Sequence, residues 1–104
     1  MIEPQGPQGP QRLLEAALDE AWLDLDDLCR LTRLSPEWVH ERVTGGLLVV
    51  ALGAHDGWRF DAPALRRAQR LAALERDFDA VPELAALVAD LEDEVARLRR
   101  LVRR

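Results

Sequence analysis

Cys29, His40 and His55 are the residues of this 104-residue chain best suited to metal binding or nucleophilic chemistry. On spacing alone they make no site. A zinc centre wants four ligands in short-range pairs, whereas the two histidines stand fifteen positions apart in different elements. Cys29 and His40 are able to approach each other across two helices, but a small buried thiol and a surface imidazole fit those residues better. Hydroxyl side chains are scarce, and none falls at a nucleophile–base spacing. Gly45-Gly46 has no helix after it to cradle a phosphate. No catalysis, no metal and no cofactor are therefore expected. What the chain has in quantity is carboxylate: 19 Asp and Glu against 14 basic residues, a net charge of -5. The excess is local, because residues 11–46 carry eight acids against four arginines. Residues 47–79 and 80–104 each balance five against five. Carboxylates so concentrated repel polyanions and attract basic protein surfaces.

The elements that must carry these acids lie between Leu23 and Asp61. Asp24 reads as an N-cap, with Asp27 accepting from the same unpaired amides, and Leu25, Leu28, Leu31 and Leu34 recur every three residues on one side of a short helix. Ser35 caps a second helix, with Pro36 at its first position and Glu37 in its first turn. Gly45-Gly46 ends that helix through a left-handed residue. Only Arg33-Leu34 and the cap separate the two, which is the spacing of a helix-turn-helix. The outward positions of the second helix are expected to be Glu37, His40, Glu41 and Thr44.

Leu47 to Leu52 reads as an apolar strand, and Asp56-Gly57 as the turn of a hairpin. Trp58-Arg59-Phe60 is the return strand, with both aromatics on one face. Asp61 caps a third helix, Ala62 to Asp77, whose inner face is Leu65, Ala68, Leu71, Ala72 and Phe78. Its arginines Arg66, Arg67, Arg70 and Arg76 point outward. A last helix, Pro82 to Arg104, sets Val81, Val88, Val95 and Val102 seven apart, with Leu84, Leu91 and Leu98 between them. β-Branched residues at a and leucine at d favour a two-stranded coiled coil. Leu84, Val88, Leu91, Val95, Leu98 and Val102 are thus the expected homodimer contacts, with packing of this helix onto its own domain the competing use of the same leucines. Acids crowd the first half of this helix and arginines the second, a distribution that suits antiparallel partners.

Upstream, residues 1–11 repeat Gly-Pro-Gln, too briefly for a triple helix, and read as a disordered tail. Residues 12–23 suggest a short helix or turn followed by extended chain near Trp22. The organisation expected is a tail (1–11), a winged helix-turn-helix domain (12–79) and a terminal amphipathic helix (80–104). Apolar residues make up 48% of the chain, and no run approaches the ~20 needed to span a bilayer. A lone cysteine, with no basic-then-apolar start, makes the cytoplasm the expected compartment.

The segments Leu25-Asp26-Asp27-Leu28-Cys29, Leu34-Ser35-Pro36-Glu37-Trp38-Val39, Gly46-Leu47-Leu48 and Trp58-Arg59-Phe60-Asp61 resemble the MerR-type winged helix-turn-helix. They are still more similar to its offshoot, the CbpM-type chaperone modulators, over residues 22–104. Val49-Val50 departs from the acidic residue and proline that related chains carry there. The fold this implies is mostly α, with a small β-hairpin wing and a long coiled-coil-like terminal helix. The function it implies is binding the J-domain of a DnaJ/CbpA-like co-chaperone and inhibiting it. Contacts would come from Asp26, Asp27, Glu37, Trp38, His40 and Glu41. The alternative is a MerR-type DNA-binding regulator touching phosphates through Arg59, Arg66, Arg67 and Arg70. Nucleic acid is disfavoured, because Glu37 and Glu41 stand where a reading helix should offer donors.

Overall fold

The computed structural model describes residues 22–52 and 57–103; the expectations for 1–21 and for the hairpin tip lie outside them. Four helices and a two-stranded hairpin follow in the order α1 (Leu25–Thr32), α2 (Pro36–Thr44), β1 (Ala51–Leu52), β2 (Trp58–Arg59), α3 (Ala62–Phe78) and α4 (Pro82–Val102). This is the mostly helical architecture anticipated, a helix-turn-helix with a hairpin wing and a long terminal helix.

Each of the first three helices starts where a short polar side chain satisfies a free amide. Asp24 Oδ1 accepts from Asp27 N at 2.8 Å, Ser35 Oγ from Trp38 N at 3.0 Å and Asp61 Oδ1 from Ala64 N at 2.9 Å. The Asp27 carboxylate itself is engaged by Arg30 one turn on, so it does not share the capping role expected of it. Left-handed residues end the helices: Arg33 at φ 64° after α1, Gly46 at 82° after α2 and Asp79 at 51° after α3. The extended chain expected near Trp22 is present. Leu23 N donates to Phe60 O at 2.9 Å and Phe60 N returns to Leu23 O at 2.8 Å.

The strand expected over Leu47–Leu52 shrinks to Ala51–Leu52, paired antiparallel as Ala51↔Arg59 and Leu52↔Trp58. Its first residues are committed elsewhere, since the amides of Leu47 and Leu48 both donate to Arg42 O. The positive φ at Gly46 folds the chain back onto the end of α2, and those residues close its free carbonyls instead of a sheet.

Phe60 is fully buried and sits with Leu28, Val39, Leu48, Leu65, Ala68, Leu71 and Leu74 in a core to which all four described helices contribute. α4 joins it through Ala85, Ala86 and Ala89, side chains small enough for α3 to approach closely. Phe78, expected inside, is 72% exposed, and Leu74 takes the inner place. The last ties from α3 to α2 are made at Glu75, so the turn bearing Phe78 runs past its cover. Among the described residues no helix is long and apolar enough to cross a membrane.

Candidate protein-interaction surface

The two sides of α2 are sharply different. Val39 is fully buried, and Trp38 and Val43 pack half-buried against the core. Glu37, His40, Glu41 and Thr44 are exposed, as the sequence anticipates. Arg42 is the one base on the helix, and it is only 8% exposed. Its guanidinium grips Glu75 of α3 at both oxygens, Nη2 to Oε1 at 2.7 Å and Nε to Oε2 at 2.9 Å. Trp38 Nε1 donates to the same Oε1 at 2.9 Å, and the Arg42 guanidinium lies 4.6 Å from the Trp38 ring centre. Trp38 is therefore turned inward as part of a clamp, and it has little to offer a partner. Hydrogen bonding to Glu75 holds the Arg42 guanidinium still more firmly protonated than usual. The face left to solvent carries carboxylates and an imidazole.

That face continues onto α1. Cys29 is half-buried between the helices; burial pushes its thiol up, and the charges of Asp26 and Glu37 push it further. A thiol so placed stays protonated and unreactive. Two of the anticipated contacts, Asp26 and Glu37, thus flank one point, while Asp27 is tied to Arg30 and Glu41 to Arg42. His40 stacks on Trp58 of β2, ring centres 5.3 Å apart and planes 27° from parallel. Trp58 in turn meets Phe60 edge-on at 6.3 Å. Sequence reasoning placed Trp58 and Phe60 on one face of the hairpin but not against His40. That contact depends on how the wing docks, and no local pattern encodes it.

The four arginines that could meet phosphates are divided. Arg67 donates to Leu47 O and to Asp90 of α4, each at 2.7 Å. Arg70 is held at both donors by Glu92 of α4, at 2.8 and 2.6 Å. The hydrogen bonds and charge of Arg70 keep the Glu92 carboxyl below the usual carboxylate range. Of these four, Arg59 and Arg66 make no ion pair with another described residue. Among those residues, too, no group of three or more His, Cys, Asp and Glu is placed to hold a metal ion.

Two short capped helices, a hairpin wing and a long terminal helix make this a regulatory helix-turn-helix protein. The family described as MerR HTH family regulatory protein matches residues 23–104, and the chain belongs to it. No curated protein and no solved structure matches the chain.

Proposed function

We propose that this MerR-family chain is a protein-binding adaptor that takes the J-domain of a DnaJ/CbpA-like co-chaperone and inhibits it, as the resemblance to CbpM-type modulators implies. The observation that carries this reading is the inward engagement of Arg42. With its one arginine locked on Glu75 and reaching Glu41 only through Nη1 at 3.2 Å, the second helix of the helix-turn-helix offers a partner exposed Glu37, His40 and Glu41. Carboxylates facing a duplex lose the counterion release that drives DNA binding, while a basic protein helix is attracted and oriented by them. Arg67 and Arg70 support the same reading, since α4 already neutralises both.

The test is calorimetric titration with the J-domain of a DnaJ-like protein. Glu37→Arg combined with Glu41→Arg is expected to weaken binding more than ten-fold, about 1.4 kcal/mol or more. Both side chains are exposed, so the helical circular dichroism should not change. Unchanged affinity would overturn the assigned surface. The alternative reading is a MerR-type DNA-binding regulator. A sequence-specific gel shift at low salt with the promoter upstream of the gene would establish it instead.

A further inference from the structure

An open cleft of about 460 Å³ lies where the start of α1, the middle of α2 and β2 converge. Its lining includes Asp24, Asp26 and Arg59, and His40 stacked on Trp58 gives it an aromatic wall. We propose that this cleft receives one cationic side chain of a partner protein, arginine by preference, and that Arg59 competes with it for the site. The inference deepens the protein-partner reading above by naming where the partner's charge is held.

The carboxylates are available for this. Asp26 is exposed and makes no hydrogen bond or ion pair among the described residues. Asp24, which lines the cleft, uses Oδ1 to cap the helix, and its Oδ2 makes no hydrogen bond among the described residues. The positive pole of α1, worth about half a charge, is outweighed by the full charges of Asp24 and Asp26. A planar guanidinium suits a carboxylate beside an aromatic wall better than an ammonium does. It can bond to both carboxylate oxygens and stack at the same time.

Arg59 lines the same cleft. Its Nη1 donates to Trp58 O at 3.0 Å, with no carboxylate of the described residues within ion-pair distance. Residue 57 is glycine, and a Cβ there would come within 3.1 Å of that nitrogen. Arg59 is thus held at the rim by a backbone carbonyl, where it lowers the negative field that an incoming cation meets. Its removal should strengthen cation binding. The opposite sign is expected if Arg59 is a phosphate contact.

The test is an NMR titration of the whole protein with N-acetyl-arginine methylamide, using the glutamine analogue as control. The Trp58 indole N–H and the Asp26 and His40 amides should shift together and saturate at roughly 1–10 mM, as one side chain allows. Asp26→Asn should weaken the response at least three-fold, and Arg59→Gln should strengthen it at least two-fold. The amide spectrum of each variant reports its fold, and His40→Ala, at an exposed position, removes part of the wall without touching the core. An equal response to the glutamine analogue, or a weaker one in Arg59→Gln, overturns the proposal. So does J-domain binding with no change at Trp58. Saturable arginine binding in a protein that ignores the J-domain would instead support the cleft and remove the co-chaperone assignment.

Discussion

Trp38 and Arg42 stand one turn apart on α2, and both end on the Glu75 carboxylate of α3. Charge-assisted, two-pronged bonds of this kind are among the stronger polar contacts available to a side chain. Here they act where the Arg42 and Glu75 side chains keep only 10% and 15% of their exposure. Burial alone would raise the Glu75 carboxyl; bonds from Arg42 and Trp38, with the Arg42 charge, outweigh it and hold the group below the usual carboxylate range. A carboxyl depressed in the native state is protonated more readily when unfolded. Its stabilisation is therefore complete above the ordinary carboxylate range and is lost as pH falls through the native value. Glu75→Gln should cost on the order of 3 kcal/mol at neutral pH, because it leaves a buried guanidinium without its counter-charge. It should also flatten the acid limb of stability in urea titrations run downward from neutral pH. Parallel acid limbs for the two proteins would show that the clamp is not the group being titrated. The clamp matters to function because it decides which charge α2 displays.

At the scale of elements, the junction between α2 and the hairpin sets where the wing begins. Gly46 takes φ 82°, and a Cβ at that position would meet nothing within 4 Å. The cost of Gly46→Ala is thus purely one of backbone conformation, about 1 kcal/mol. A denaturant midpoint equal to the parent's would show that the turn relaxes freely. This junction also marks how far the sequence could be read. Asp24, Ser35-Pro36 and Asp61-Pro63 announce their helices because a cap is completed within one turn, and the outward set Glu37, His40, Glu41 and Thr44 follows from helical period alone. Leu47 to Val50 misleads because an apolar run fits a strand as well as a chain folded back on Arg42 O. Phe78 misleads because period gives a face but not where the covering element stops. The Arg42–Glu75 and Arg67–Asp90 pairs span 33 and 23 residues, beyond the reach of any local pattern. Half of the expected phosphate contacts changed meaning for that reason. The acidic face survived because it needs only a helix and its period.

For the molecule as a whole, α4 is two different helices in sequence. Its first turns are buttressed by α3 through Ala85, Ala86 and Ala89, with Val88 half-buried beside them, so Val88 serves its own core as well as any interface. From Leu91 onward no described residue is buried, and Glu92, held by Arg70, is the last tie to the body. Leu84, Leu91, Val95 and Leu98 remain exposed along one stripe that ends at Val102, 84% exposed. Leu87 and Leu101 broaden that stripe. A helix of roughly a dozen residues is marginal in water on its own, and we propose that this stripe is covered by a second copy of the chain. Charge contributes less than the sequence suggests, since Asp90 and Glu92 are already engaged by α3. Glu83 and Asp93 remain to meet Arg99, Arg100 and Arg103 of an antiparallel neighbour, enough to favour an orientation but not to hold it. Apolar burial must supply the affinity. In a two-fold interface each substitution counts twice, so Leu91→Glu with Leu98→Glu removes four leucines, each about half exposed in the single chain, on the order of 3–6 kcal/mol. That should carry a dimer to monomer across the whole range accessible to sedimentation equilibrium, while the Phe60-centred core stays folded. A parent protein that sediments as a monomer at high concentration, or a double variant that still sediments as a dimer, would mean that this stripe does not pair with itself. High salt should weaken the association only slightly, because little of it is ionic.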